Sequence, residues 1–219
     1  MQKQDLQRTV GGKFPPAVFF LILLFAVPWG GCASLFGWKI HAPGILSEDF
    51  SRFVPPSDER VALYVLPGTS EYLSSDKGTR FSDPQTYYIG EAFVPMLIEA
   101  FQAGFSEFVL METTPTIAMM RRYGIPHLAV VEIRGFKNRK DFGSQGLDLF
   151  TETLLFDQNL KLISRFETRG ASEARKVFSK KGGPEVNLNH AIESNLQSVV
   201  KYVQETLSMR KNADAGSPS

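Results

Sequence analysis

Cys32 is the only cysteine among 219 residues, and it stands directly behind Gly30 and Gly31 at the end of an apolar run. One cysteine excludes an intrachain disulfide, and a free thiol is a liability in an oxidising compartment. Covalent consumption of that thiol would remove the liability. The other chemistry-bearing residues form no recognisable set. His41, His127 and His190 are far apart in sequence, without HExxH or Cys/His ligand spacing, so no metal site is expected. No P-loop, GxSxG or GxGxxG occurs. Gly143-Ser144-Gln145-Gly146 reads as a short flexible loop without the context of a nucleophile elbow. Glu91 and Glu99 would share a helix face, which without a partner motif reads as a solvated face. Nucleophile, base and orienter are all missing, so the expectation is a chain that is not an enzyme, with no catalytic residue and no cofactor.

Two clusters are basic: Arg134, Lys137, Arg139 and Lys140, and then Arg175, Lys176, Lys180 and Lys181. Nearby acids such as Glu132, Asp141 and Glu173 are compatible with two solvated loops. The functional alternative for Arg134, Lys137, Arg139 and Lys140 is contact with an anionic lipid, a lipopolysaccharide or an acidic partner.

The segment ahead of Cys32 gives its chemistry a setting. Lys3, Arg8 and Lys13, against the single acid Asp5, precede the apolar run FPPAVFFLILLFAVPWGGC. A positive segment, an apolar segment and small residues at the end are the layout of a secretory signal. With cysteine next, the run resembles a bacterial lipoprotein signal. That resemblance implies cleavage after Gly31 and a diacylglycerol thioether on Cys32. The two glycines fit the pattern; Trp29 departs from the usual leucine. Ala33, in place of an aspartate, implies sorting to the periplasmic face of the outer membrane. The competing reading is an uncleaved anchor in the inner membrane. From Pro15 to Trp38 no residue is charged, 24 positions, and a spanning helix needs roughly 20.

Losing residues 1–31 removes three cations and one acid, and the net charge moves from +1 to −1. Neither value points to nucleic acid. Composition is globular, 43% apolar and 12% aromatic with 18 Phe. The expected organisation is a signal at 1–31, a tether at 32–58, an α+β domain at 59–209 and a disordered tail at 210–219. The tether carries Leu35, Phe36, Trp38, Ile45, Phe50 and Phe53, too apolar for a free linker.

Within the domain, Arg60–Leu66 reads as a buried strand. Residues 69–86 read as a long loop. Tyr88–Ala103 has a helical stripe, with Pro95 in the first turn or at a kink and Gly104 as C-cap. Phe105–Met111 is the next strand, followed by a short helix near Thr116–Tyr123. Leu128–Phe136 alternates, with Ala129, Val131 and Ile133 opposite Glu132 and Arg134. Residues 138–146 read as a charged loop. Leu149–Phe156 and Leu160–Thr168 form a hairpin about Asp157-Gln158-Asn159. The last helix, capped by Asn187, buries Leu188, Ile192, Leu196, Val199, Val203 and Leu207. The fold class is α+β, a two-layer sandwich: a mixed sheet with two long helices packed on one face.

The strand VALYVLP, the helix AFVPMLIEAFQAGF, the hairpin TETLLFDQNLKLISRFETRG and the helix LNHAIESNLQSVVKYV match in order the α/β domain of a group of envelope proteins. The chain resembles, over roughly 60–207, the domain shared by the curli secretion-channel lipoprotein, the N-terminal domain of the Tol-system propeller protein and the lipoprotein activators of penicillin-binding proteins. A lipopolysaccharide-assembly lipoprotein has a similar layout. The resemblance implies a non-catalytic adaptor or accessory subunit of an assembly, transport or secretion machine, with another envelope protein as partner. Loops 69–86 and 137–148 are too short for the inserting hairpins of the curli channel, so pore formation is not expected.

Overall fold

The computed structural model describes residues 37–78, 83–141, 144–173, 175–176 and 183–215. Gly31 and Cys32 lie outside them, as does the whole signal. The fold is α+β, and its frame is a six-stranded mixed sheet. That sheet uses β2 (Ser57–Tyr64), β5 (Phe105–Met111), β6 (His127–Asp141), β7 (Ser144–Asp157), β8 (Leu162–Ala171) and the short β9 (Arg175–Lys176). The order is β5-β2-β6-β7-β8, with β9 also on β7. β2 runs parallel to β5 and β6, whereas β6, β7 and β8 form an antiparallel meander.

Alternation dictates which side each strand buries. Ala129, Val131 and Ile133 of β6, with Leu147, Leu149 and Leu155 of β7, point into the main core. The two long helices cover that face: α2 (Ile89–Gly104) and α4 (Pro184–Ala215). From α2 come Ile89, Phe93, Met96, Leu97, Ala100 and Phe101. From α4 come the six residues of the expected stripe, all fully or almost fully buried. Two contacts show how closely the helices sit. A Cβ on Gly104 would overlap the Val200 side chain, and one on Gly170 of β8 would overlap the Ala191 carbonyl and the Asn195 amide. Gly104 is thus still helical, not a cap; it is small because α4 crosses there. Pro95 lies in the second turn of an unbroken α2.

The opposite face carries a second, smaller core. Ala62, Tyr64, Met111, Leu128 and Val130 pack there against Met120 and Ile125, from the short α3 (Ile117–Arg122) and the turn after it. The Thr116 side chain accepts from the Met119 amide at α3's start, as an N-cap does.

Further expectations are corrected. Residues 69–86 are not a plain loop; they hold a 3-10 turn, β3 (Leu73–Asp76) and β4 (Gln85–Tyr88). With β1 (Trp38–Ile40), these form a separate sheet of order β1-β4-β3. Residues 138–141 and 144–146 are strand and not loop, because β6 and β7 pair through to Asp141 and Ser144. Asn187 does not cap α4. The helix begins at Pro184, and the buried Asn187 donates to the Gln145 carbonyl of β7 at 2.9 Å. Residues 37–58, read as a tether, supply β1, the one-turn helix α1 (Phe50–Phe53), and Ile40, Leu46, Phe50 and Val54 to the main core. At the other end α4 continues to Ala215, past the boundary set at 209.

Candidate anchoring strap and charged sheet face

Residues 41–47 follow β1 and form a strap across α2 and α4. Both helices hold it through side chains. Asn189 of α4 accepts from the Gly44 amide at 3.0 Å and donates to the Ile45 carbonyl at 2.8 Å. Glu99 of α2 accepts from the Leu46 amide at 3.3 Å. The Ser47 hydroxyl donates to the carboxylate of Glu193. His41 meets Glu91 at 2.8 Å and stacks on Tyr88 with 4.2 Å between centroids. Gly44 has φ +69, and a Cβ there would press on Ala92 and Pro95. Glycine therefore lets the strap lie flat on α2. Glu91 and Glu99 do share a helix face, and both serve the strap. The His41–Glu91 pair is about half exposed on both sides and acts as a clasp.

The outer face of β6, β7 and β8 is charged beyond the α3 core. Its centres are two carboxylates of β7. Glu152, 2% exposed, receives Arg134 from β6 and Arg165 from β8. Asp148, 3% exposed, receives Arg139 at 3.0 Å and Arg169 at 3.1 Å. Each carboxylate is thus paired with two guanidinium groups from the neighbouring strands. Arg134 above all, with Arg165, holds the Glu152 carboxyl below its ordinary range. Gly146 leaves room for the Arg139 guanidinium.

A third polar group joins the two sheets. Gln85 of β4 is buried, and its Oε1 accepts from Tyr87 Oη at 2.8 Å, Gln145 Nε2 at 3.0 Å and Asn138 Nδ2 at 3.1 Å. Asn138 also reaches Tyr87 Oη at 3.0 Å and Asp76 at 3.2 Å. Lys140 pairs with Asp76 at 2.8 Å and, chiefly through that contact, lowers the Asp76 carboxyl from its ordinary value. Burial pushes the Tyr87 phenol up, so it is neutral and acts as a hydrogen-bonding member of the cluster.

The expected anionic-contact residues therefore have defined places. Arg134 and Arg139 belong to the carboxylate-centred groups and Lys140 to the sheet junction, while Lys137 is exposed on the hairpin. Of the second cluster, Arg175 and Lys176 form β9, paired to Gln145 and Ser144; Lys180 and Lys181 lie outside the described residues. The histidines are not brought together, and the described residues contain no cluster of three metal-ligating side chains. His127 borders a pocket of about 230 Å³ with Glu59, Leu207, Arg210 and Lys211. Its Nδ1 is buried without a partner, and burial depresses its pKa.

Glu152, Asp148, Asn189 and Gln85 escape a reading of the sequence. Apart from Tyr87 beside Gln85, their partners lie 9 to 145 residues away, or in a strand that has no apolar alternation.

No family model matches the chain. No curated protein matches it. Several solved structures are similar. A hypothetical protein of Chlamydia trachomatis superposes with TM-score 0.42 at 9% identity, covering 68% of this chain and 98% of that one. The PelC dodecamer of Paraburkholderia phytofirmans gives 0.40 at 9% identity, covering 75% and 93%. Lipoprotein GNA1162 of Neisseria meningitidis gives 0.32 at 8% identity, covering 72% and 99%. At such scores and identities neither family nor function transfers.

Proposed function

We propose that this chain is a lipoprotein of the bacterial envelope, held on the periplasmic face of the outer membrane by diacylglycerol on Cys32. Its α+β domain serves as a non-catalytic adaptor or accessory subunit of an assembly, transport or secretion machine. The observation that carries the reading is the order of the first 32 residues: three cations, an uncharged apolar run, two glycines, then the single cysteine. Among the described residues no helix is long and apolar enough to cross a membrane. Attachment then falls to the apolar run and its cysteine.

The adaptor role rests on what the domain offers. Its described polar side chains are spent on strapping, on ion pairing and on joining two sheets. Two sheet edges, β5 and β8, each have a single long neighbour. Unpaired edges are where a partner adds a strand. The kinship with the curli-channel, Tol-propeller and penicillin-binding-protein activator domains belongs to the same proposal and rests on element order.

A second reading keeps the N-terminus uncleaved in the inner membrane, favoured by the 24 uncharged positions from Pro15 to Trp38. The Cys32→Ser chain separates them. For a lipoprotein the full-length precursor accumulates and leaves the outer-membrane fraction. For an uncleaved anchor, size and fractionation do not change. Crosslinking in intact membranes then identifies the partner.

A further inference from the structure

The six-stranded sheet ends abruptly at β5. Among the described residues no strand pairs with the far side of β5. Side chains alternate along it. Phe108 packs toward the main core and Val109 toward the smaller one, yet both are only partly buried. Phe108 meets Phe101 of α2, with 6.4 Å between centroids. Leu110, on the same side of the strand as Phe108, is 39% exposed. The apolar layer under α2 is therefore left uncovered at this edge.

Native sheets blunt an open edge with charge, proline or a bulge. β8 does so. Arg165, Glu167 and Arg169 are exposed along it, and its pairing with β7 slips between Leu162 and Ser164. β5 does not. It reads FSEFVLM, without Pro, Gly, Lys or Arg. Its one charge, Glu107, is taken by Arg60 of β2 at 3.2 Å. From Glu107 to Met111 its pairing with β2 is regular. Such an edge is a template for another strand.

We infer that the free edge of β5 pairs with β5 of a second copy of this chain, antiparallel about a two-fold axis. The strand's own sequence selects that occupant. A two-fold perpendicular to the sheet keeps each face on its own side, so only residues of the same face stand opposite one another. With the axis at Phe108, the whole of Phe105–Met111 pairs. Phe108 then meets its own copy, Ser106 meets Leu110, and Glu107 meets Val109. The half-covered row of Phe108 and Leu110 is closed by the same row of the second copy. No two charges stand opposite each other. The interface is small, so the dimer should be reversible. This inference goes beyond the adaptor reading and does not need the lipid. It leaves the charged β8 edge of each copy to an envelope partner.

The test traps the pair in intact membranes. Ser106→Cys and Leu110→Cys are introduced singly and together into the full chain, which is then oxidised. Opposite residues of antiparallel strands have Cα atoms about 4.5–5.5 Å apart, within disulfide reach. Each residue and its own copy would stand four positions apart, about 13 Å, which is beyond that reach. The same distance separates 106 from 110 within one chain. The expected result is a crosslinked dimer from the double variant and none from either single variant. Peptide masses should show the bond between positions 106 and 110. The native chain under the same oxidation reports any crosslink through Cys32. Single variants that crosslink as well as the double, or no crosslink in any, overturn the pairing. Capture of a different protein in place of the second copy overturns it too, and assigns β5 to the envelope partner.

Leu110→Lys, at an exposed position, gives an independent reading. Sedimentation of the native chain in detergent should show a monomer–dimer equilibrium. Leu110→Lys should weaken it about tenfold while the melting temperature holds. A native chain that stays monomeric, or a dimer indifferent to Leu110→Lys, contradicts the inference. Both readings stand whether or not Cys32 carries lipid, so the anchor and the dimer fail separately.

Discussion

Asn189 of α4 grips Ile45 of the strap from a distance of 144 residues, donating to its carbonyl at 2.8 Å. The same side chain receives the neighbouring Gly44 amide at 3.0 Å. The last helix therefore holds the chain just after its entry point, and the strap is a fastened part of the domain. Asn189→Ala removes these bonds, together with a longer one at 3.4 Å from the Ile45 amide. At about 1 kcal/mol per net hydrogen bond, lowered here by partial exposure, the loss in stability should be about 1 kcal/mol. Hydrogen exchange at Gly44–Leu46 should speed up while the β6–β7 amides keep their protection. Unchanged exchange in the strap would mean that packing of Leu46 and Phe50 holds it alone.

Gly170→Ala tests the approach of α4 to β8. The new methyl would overlap the Ala191 carbonyl and the Asn195 amide, both helix backbone. Backbone cannot swing aside as a side chain can, so the cost should be about 3 kcal/mol, at the upper end for overpacking. Asn195, whose Nδ2 donates to the Leu149 and Thr168 carbonyls, would lose its register as well. A melting temperature within a degree or two of the native value would contradict this packing.

Val199→Asp asks whether α4 is core or a separable docking helix. Val199 is fully buried against the sheet. A carboxylate there has no partner, and the penalty is several kcal/mol. The expected result is a lost thermal transition. A normal melt with loss of a bound partner would instead place the binding surface on α4.

Acid should weaken the outer face of the β6–β8 meander. The folded Glu152 carboxyl lies below its ordinary value of 4.5, held there by Arg134 and then Arg165. A depressed carboxyl contributes stability above its unfolded value and loses it as pH falls through the folded one. Stability should therefore drop as pH falls below about 4.5. Glu152→Gln should be less stable at neutral pH, because two guanidinium groups lose their shared partner. It should also be flatter with pH in that acid window. Parallel pH curves for the two proteins would show that Glu152 does not gain from its arginines.

What the sequence discloses follows the apolar pattern. The α4 stripe from Leu188 to Leu207 and the alternation of Ala129, Val131 and Ile133 are legible because one face is buried and the other is not. The hairpin beyond Phe136 is illegible for the opposite reason. Its inner face carries Asn138 and Gln145 for the polar junction, and its outer face carries Arg139 and Asp148 as an ion pair. Both faces are polar, so no alternation exists. β3, with sequence LSSD, hides in the same way. Gly104 reads as a helix end from local rules, yet it is a contact residue fixed by Val200, nearly a hundred positions away. The strap and the two carboxylate centres depend on pairings of this kind, which no local spacing encodes.

The central claim is lipid attachment at Cys32, and the intact mass of the chain purified from membranes tests it most directly. The account predicts a polypeptide beginning at Cys32, heavier than residues 32–219 by a diacylglyceryl thioether and any further acyl chain. A mass that retains Met1, or a chain cut ahead of an unmodified cysteine, would contradict it.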